Sequence, residues 1–344
     1  MSPYISPLFS LGMFISVMLI LCSSHWIFLW MGLELGTLAF VPMLAWWHTS
    51  LEVEATVKYF IVQALAAATF FFGGLMNMNV VYMSDVSHWF GGVGEMIILL
   101  AVAVKLGMAP FHYWVVDVVQ GLNYIPGLVL LTWQKLPGLA VFIQLGCSNP
   151  ALIAVLGCLS ALVGGLGGLG QTQLRKLLAF SSIVHLGWLV TGVGVNSLLG
   201  VTYFVLYVSV SLPIFLFLHI MNVVHVNQLR SGIVGSPVVT ALLSLGVLSL
   251  AGLPPFVGFL GKWLVLTELV SQTMVLVSAV LISGTLVSLY YYLRVGYLCL
   301  AIMSPQQVMV NTSYRKSFIF NILAVLVGFN LIGLVISSGV SCYI

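Results

Sequence analysis

Charged residues are scarce in this sequence. Asp, Glu, Lys and Arg make up 5% of its 344 residues, whereas ordinary soluble domains contain roughly 25%. Hydrophobic residues make up 61%, and the mean hydropathy is +1.19. This composition excludes a soluble domain. The 10 basic and 7 acidic residues give a net charge of +3, which is too small and too dispersed a surplus to indicate a nucleic-acid partner.

Cysteine is also rare, and the spacing of the cysteines does not suit iron–sulfur or zinc sites. The five cysteines are an odd number, and no two of them have the two-residue spacing of iron–sulfur or zinc motifs. We therefore expect no disulfide, and neither a cofactor nor a metal in this chain. The first residues include no basic segment and no small-residue cleavage site, so we expect neither a secretory signal nor a transit peptide.

Long apolar runs dominate what is present. About 20 apolar residues are needed for a helix to cross a bilayer, whereas a transmembrane β-barrel shows short alternating segments. The runs predict an all-α polytopic membrane protein with about eleven transmembrane helices, forming a single transmembrane domain over residues 1–344. The predicted spans are 5–22, 26–47, 57–80, 95–116, 123–146, 150–170, 177–195, 198–222, 238–266, 273–299 and a C-terminal helix at 318–340.

Basic residues outside the apolar runs predict the orientation of the chain. With eleven spans, the connections alternate between the two sides of the membrane. All seven basic residues in connections or at helix ends then fall on the N-terminal side: Lys58, Arg175, Lys176, Arg230, Arg294, Arg315 and Lys316. Because basic loops face the cytoplasm or the matrix, we expect the N-terminus on that side and the C-terminus on the other.

Four charged residues lie inside the predicted helices, namely Glu34, Lys105, Lys135 and Lys262. A charge at the membrane centre costs about 2.5–3.5 kcal/mol on an insertion scale, so each must face protein or water. A structural ion pair that pins two helices together is one interpretation, but one acid cannot neutralise three bases. A proton relay explains the surplus better, because a buried lysine near other cations exchanges protons more readily than a solvated one.

A helix-breaking pattern is repeated beside two of these lysines. Gly-x-x-Pro-Phe occurs twice, 145 residues apart, in spans that run in opposite directions by the topology above. Interrupted helices in antiparallel halves are typical of inverted-repeat transporters, where they line a hydrated site near the midplane. The pattern predicts discontinuous helices near 107–110 and 252–255, within half-repeats of approximately 1–146 and 150–300. Proline-kinked helices without a transport role are the alternative.

Two further patterns concern helix geometry. Pro137 follows Lys135 closely and is expected to free backbone carbonyls next to it. Residues 165–170 match the dinucleotide-binding glycine pattern, but they follow an apolar helix instead of a strand. We therefore interpret Gly164 and Gly168 as a close helix-packing face.

Four acidic residues lie near the ends of predicted spans. Glu52 and Glu54 share a side with several basic residues, so we expect surface ion pairs or contact with a neighbouring subunit. Glu95 and Glu268 lie toward the opposite side. Either could release protons there, although a solvated helix end is the simpler expectation.

Five stretches of the chain resemble the antiporter-like membrane subunits of mitochondrial NADH:ubiquinone oxidoreductase, respiratory complex I, in their animal form. They contain the four buried charges and both helix-breaking motifs, and they occur in the family's order. The stretches are 30–35, 105–114, 131–135, 171–188 and 250–263.

This resemblance implies a proton path coupled to electron transfer from NADH to ubiquinone, with flavin and iron–sulfur clusters in other subunits. Glu34 would be the acid paired with Lys105 in the input half. Lys135 would be the central connecting lysine, and Lys262 the terminal lysine toward the output side. The matched motifs also contain His112 and His185, which could bridge protons or could equally be packed, hydrogen-bonded histidines.

The resemblance also implies a place in the mitochondrial inner membrane, with the N-terminus in the matrix and the C-terminus in the intermembrane space. Its partners would be other membrane-arm subunits and the lipid bilayer, with no nucleic acid and no small-molecule substrate other than protons. Two alternatives remain. The buried charges would also suit a free-standing cation/proton antiporter, or a structural membrane scaffold subunit in which they only lock helices together.

Overall fold

The structure, a computed structural model, describes residues 5–81, 85, 92–145, 149–230, 237–254, 256–301, 327, 328 and 330. This part of the chain contains no β-strand and confirms the all-α prediction. Its helices are α1 (Ile5–Cys22), α2 (Trp26–Leu44), α3 (Ser50–Val81), α4 (Val93–Leu106), α5 (Tyr113–Gly121), α6 (Tyr124–Leu131), α7 (Lys135–Leu145), α8 (Pro150–Gly168), α9 (Leu174–Val195), α10 (Ser197–Met221), α11 (Pro237–Ala251), α12 (Val257–Ser271) and α13 (Val275–Ala301). A short 3-10 helix (Val226–Arg230) lies between α10 and α11.

The described helices follow the predicted spans closely. Seven of them coincide with one span each, namely α1, α2, α3, α8, α9, α10 and α13. Three predicted spans are each divided into two helices: α4 with α5, α6 with α7, and α11 with α12. Seven segments in the described part are long and apolar enough to cross a membrane. The predicted helix 318–340 lies outside the described residues except at 327, 328 and 330, so the count of eleven stays a prediction.

Contacts between connections agree with the predicted alternation of sides. Between α1 and α2, His25 forms an isolated backbone bridge with Asp85, which lies between α3 and α4. Gln173, before α9, forms a second bridge with His225, which follows α10. In each case the topology places both partners on the same side of the membrane.

The chain divides into two compact units. The first contains the described residues up to Ser160 together with Val193–Ser197. The second contains Ala161–Gly192 and the described residues from Leu198 onward. The division falls within α8, about ten residues or nearly three helical turns beyond the predicted boundary between half-repeats. The inverted relation of the two halves stays a prediction.

Glycines bring α8 against α9 and α13 in the second unit. A Cβ atom added at Gly164 would lie 2.8 Å from the backbone nitrogen of Val184 in α9. Added at Gly168, it would meet the ring of Tyr291 in α13 at 2.5 Å. This close approach confirms that the glycine-rich segment serves helix packing.

Gly284 of α13 provides a test of that packing. A Cβ atom there would lie 2.7 Å from the backbone oxygen of Ala161, and a backbone atom cannot move aside easily. We expect Gly284→Ala to destabilise the assembled protein by about 1–3 kcal/mol, the usual cost of overpacking. The measurement is thermal inactivation in mild detergent. Gly170→Ala is the matched control, because no atom of the described residues lies within 4 Å of a Cβ atom added there. Equal stability of the two variants would contradict the packing.

Candidate functional site

The first predicted break lies between α4 and α5. Helix α4 ends at Leu106, and Gly107 adopts a left-handed conformation with φ of 74°. The Gly107 N–H donates to the Val104 oxygen at 3.1 Å, and the Met108 N–H donates to the Ala103 oxygen at 3.0 Å. This is a Schellman cap, and glycine suits it because a side chain disfavours positive φ.

Side chains from two other helices also donate hydrogen bonds to backbone carbonyls at this break. The indole of Trp114 in α5 donates to the Val104 oxygen at 3.0 Å. The amide of Gln63 in α3 donates to the backbone oxygen of Lys105 at 3.2 Å. An interrupted helix inside a membrane needs such donors, because lipid offers none. The break is therefore a fixed feature of the first unit.

Lys105 lies at the end of α4 and is buried. Among the described residues, neither its Nζ atom nor the buried Oε2 atom of Glu34 in α2 has a hydrogen-bond partner. Glu34 is near enough to act electrostatically on Lys105. The two form no ion pair, however; among the described residues the ion pair is Glu54–Lys58 at 2.7 Å. The structure thus leaves the two groups apart, and their pairing stays a prediction.

Lys135 begins α7, directly after an unpredicted interruption that separates α6 from α7. Residues 132–134 form a turn between α6 and α7, so the break precedes the lysine. Pro137 occupies the first turn of α7, where a backbone N–H is not needed. The carbonyl of Trp133, one turn earlier, accepts instead from the Leu136 N–H at 3.1 Å. The expectation that Pro137 frees carbonyls beside Lys135 was therefore wrong.

Lys105 and Lys135 line the same cavity in the first unit. Its volume is about 20 Å³, and a site of this size holds one water molecule if polar groups surround it. Polar groups are present in the wall alongside the two lysines: Thr37, Tyr59, Gln63, Trp114 and Gln134. The structure thus brings together two of the predicted relay residues around a space that suits a bridging water.

His112 adjoins the first break without lining this cavity. It is buried, and its Nδ1 atom lies 3.1 Å from the backbone oxygen of Pro110. Its ring packs against Tyr113 with centroids 4.1 Å apart. The contacts thus suit a packed, hydrogen-bonded histidine, and a relay role stays a prediction.

The second predicted break separates α11 from α12 in the second unit. Helix α11 ends at Ala251, and Gly252 is left-handed with φ of 78°. The buried Lys262 of α12 turns back to this end, where its Nζ atom donates to the Ala251 oxygen at 2.9 Å. An ammonium group at a helix C-terminus is favoured by the helix dipole. Both predicted interruptions are therefore present, although Pro255 lies outside the described residues.

His185 of α9 lies beside the second break. Its Nδ1 atom is 2.8 Å from the hydroxyl of Tyr203, and its ring packs on Tyr207 with centroids 5.1 Å apart. A cavity of about 10 Å³ is lined by these three residues together with Ser249 of α11 and Gly258 of α12, among others. His185 is thus buried in a polar setting next to the helix that carries Lys262.

Of the acids at helix ends, Glu54 forms the expected surface ion pair, but Glu52 is buried. Its two carboxylate oxygens accept hydrogen bonds from the Trp47 N–H at 3.0 Å and the Asn123 amide at 2.7 Å. The expectation of a surface role for Glu52 was wrong, because the connection between α5 and α6 covers it.

Glu95 and Glu268 differ in a similar way. Glu95 is buried at the start of α4, where Gly94 packs closely on Asn77 of α3, so the expectation of a solvated helix end was wrong there. Glu268 is partly exposed near the end of α12, and one of its carboxylate oxygens lies 3.4 Å from the Ser271 hydroxyl. A solvated helix end therefore fits Glu268.

Sequence reasoning missed the polar residues that complete the first cavity. Tyr59 and Gln63 both lie on the buried face of α3, four residues apart. The available signal was this helical spacing of polar side chains within an apolar span, which places them on one face. Trp114 gave no comparable signal, because tryptophan is common as a membrane anchor.

Comparison with known proteins gives a consistent result. A family model described as "NADH:quinone oxidoreductase/Mrp antiporter, TM" matches residues 23–288. A protein of Branchiostoma lanceolatum named NADH-ubiquinone oxidoreductase chain 2 is 61% identical over 343 residues, covering 99% of both chains. A protein of Tetraodon nigroviridis with the same name is 40% identical, covering 92% of this chain and 90% of its own.

Solved structures share the fold. A chain of respiratory complex I from Thermus thermophilus matches with a TM-score of 0.83 and 26% identity, over 94% of this chain and 77% of its own length. A chain of the Mrp complex from a Dietzia species matches with a TM-score of 0.76 and 19% identity, over 83% of this chain and 59% of its own. The latter likeness concerns the fold alone.

Proposed function

Because the chain belongs to the NADH:quinone oxidoreductase/Mrp antiporter family, we propose that it is a proton-translocating membrane subunit of NADH:ubiquinone oxidoreductase. One observation carries the proposal beyond family membership. Lys105 and Lys135, two buried lysines, face one water-sized cavity beside interrupted helices. Buried cations around a polar space in a membrane protein are typical of a proton relay.

The relay runs through Glu34, Lys105, Lys135 and Lys262. Glu34 supplies the negative charge that acts on Lys105. A water in the shared cavity carries the proton between Lys105 and Lys135. Lys262 is the terminal group, held at the second break by its bond to Ala251. We assign His185 to the part of the relay in the second unit, because it is buried beside that break.

The geometry supports a relay more than a structural scaffold. A scaffold needs buried charges that lock helices by direct contact. The Nζ atom of Lys105 makes no hydrogen bond and no ion pair in the described part of the chain. A buried charge without such a contact costs stability, so its presence is better explained by chemistry than by architecture.

Electron transfer from NADH to ubiquinone takes place in other subunits of the enzyme. In the described part of the chain, no three His, Cys, Asp or Glu side chains are grouped to hold a metal ion. We assign the flavin and the iron–sulfur clusters to the partner subunits, and to this chain the movement of protons.

We place the chain in the mitochondrial inner membrane, with the N-terminus in the matrix and the C-terminus in the intermembrane space. The distribution of basic residues supports this orientation.

We also propose that another membrane-arm subunit covers α2. Glu34 is only half-buried there, and its neighbours on the outer face, Met31, Leu35 and Leu38, are exposed. Lipid alone would not accommodate a carboxylate at that position.

Separation of native membrane complexes by size tests the assignment. Membranes are solubilised in mild detergent, and each fraction is assayed for this chain and for NADH:ubiquinone activity. The chain is expected to migrate with that activity in a very large assembly. Migration alone or in a small assembly, with ion flux that needs no redox partner, would instead indicate a free-standing cation/proton antiporter.

A further inference from the structure

One buried face of α3 carries a row of polar side chains in the N-terminal part of the helix. Glu52, Thr56, Tyr59 and Gln63 are separated by four, three and four residues, which places them on one face of the helix. Their exposed fractions are 1%, 7%, 1% and 3%. Four buried polar groups in a row are expensive within a membrane helix, so the row indicates a function. We call these four residues the α3 polar row.

The α3 polar row ends at the cavity that Lys105 and Lys135 share. Tyr59 and Gln63 are both in the cavity wall. Gln63 also binds the backbone oxygen of Lys105, which fixes the end of α4 against this part of α3. Tyr59 is held by ring contacts with Phe40 and Trp114, whose centroids lie 5.5 and 5.9 Å away. The inner end of the row is therefore part of the relay site.

The other end of the α3 polar row lies just beneath the protein surface. Glu52 accepts its hydrogen bonds from Trp47 and Asn123, and Trp47 and His48 are exposed. Glu52 is therefore covered by a thin layer of residues at the N-terminal side of the membrane. At 1.5 Å per residue, the eleven residues from Glu52 to Gln63 extend over about 16 Å. The row thus connects this side of the membrane with the buried lysines.

We propose that the α3 polar row is the proton-input branch of the relay and that Glu52 is its entry carboxylate. Glu52 takes a proton from the aqueous side, and the proton moves past Thr56 and Tyr59 through hydroxyl groups and intervening water to the amine of Lys105. Each transfer breaks one O–H bond and forms another, and the last forms an N–H bond. Gln63 is a positioning residue, since it holds Lys105 by its backbone. This proposal rests on the proposed function.

A structural clamp is the competing explanation for Glu52. Glutamine at this position has nearly the same shape, and its amide oxygen can accept one of the two hydrogen bonds. A clamp would therefore survive Glu52→Gln largely intact. A proton carrier would not, because an amide does not titrate.

The test compares Glu52→Gln with Glu52→Asp and with Glu54→Gln as the matched control in the assembled enzyme. Proton translocation driven by NADH oxidation is measured in sealed membrane vesicles, and NADH oxidation by an artificial acceptor measures the amount of enzyme. We expect about a hundredfold loss in Glu52→Gln, the lower end of the range for a missing proton-transfer group. Glu52→Asp should recover much of the rate, and Glu54→Gln should retain it. Normal translocation in Glu52→Gln would overturn the proposal.

A second substitution keeps the test decisive if Glu52→Gln fails to assemble. Tyr59→Phe removes only the hydroxyl, leaves the ring contacts in place, and is expected to slow translocation similarly. Unchanged translocation in Tyr59→Phe would then overturn the proposal. Lys105→Met distinguishes a failure of the proposed input branch from a failure of the proposed function. If it slows translocation and neither α3 variant does, the input branch is wrong and the relay stands. If Lys105→Met and Lys262→Met both leave translocation unchanged, the proposed function itself fails.

Discussion

Replacing Lys105 with Met is expected to slow coupled proton translocation at least about tenfold while the complex still assembles. Methionine has a similar length and fits the buried site at the end of α4. The Nζ atom of Lys105 makes no hydrogen bond to any residue that the structure describes, so the substitution removes no described contact of that kind. It does remove a buried charge, and a buried charge without a hydrogen-bonded partner costs stability. The effect should therefore appear in translocation and not in stability.

Lys58→Met is the matched control for this experiment. Lys58 is an exposed lysine of α3 whose partner is Glu54. Loss of this exposed pair is expected to change stability little, because water and salt screen the two charges. The measurement is proton uptake by vesicles per unit of assembled enzyme, with assembly followed by native electrophoresis. Full translocation in Lys105→Met would contradict the relay, and loss of assembly would favour a structural role for the lysine.

Replacing Lys262 with Met is expected to have two effects. The first is a similar loss of translocation, because the terminal titratable group of the relay is gone. The second is a loss of stability of about 1–3 kcal/mol, because the Ala251 oxygen at the second break loses its donor in a buried site. Lys105→Met should show the first effect without the second. Thermal inactivation and proton uptake, measured on the same preparations, separate the two.

Lys262→Arg provides the control at this position. Arginine keeps a positive charge and a hydrogen-bond donor for the end of α11, but it does not deprotonate in proteins. We expect it to restore part of the stability and none of the translocation. Recovery of translocation by arginine would mean that translocation needs the positive charge and the hydrogen bond to Ala251. It would also mean that translocation does not need proton exchange at Lys262.

Features set by local chemistry could be predicted from the sequence. The apolar runs gave the ends of the described helices to within seven residues, the largest difference being the start of α3, because bilayer thickness fixes the approximate length of a span. The two Gly-x-x-Pro-Phe motifs predicted both breaks correctly, since Gly107 and Gly252 adopt the left-handed conformation that glycine favours. The buried lysines could be recognised because charge is costly in an apolar span.

Features set by tertiary contacts could not be predicted. The shared cavity of Lys105 and Lys135 depends on how α3, α4 and α7 pack, which no local pattern records. The burial of Glu52 depends on Asn123, which is 71 residues away in the sequence. The interruption before Lys135 lacks a glycine or proline at its turn residues, Thr132 to Gln134, and so gave no local signal.

The relay is tested most directly by the charge-neutral double replacement of Glu34 with Gln and Lys105 with Met. Removing one acid and one base together leaves the net charge of the first unit unchanged, so no lone charge is left buried by the exchange. Proton translocation driven by NADH oxidation is measured in vesicles that contain the assembled complex. A proton relay predicts that translocation is lost while assembly is retained. Full translocation in the double variant would contradict the relay and show that these charges only hold the helices together.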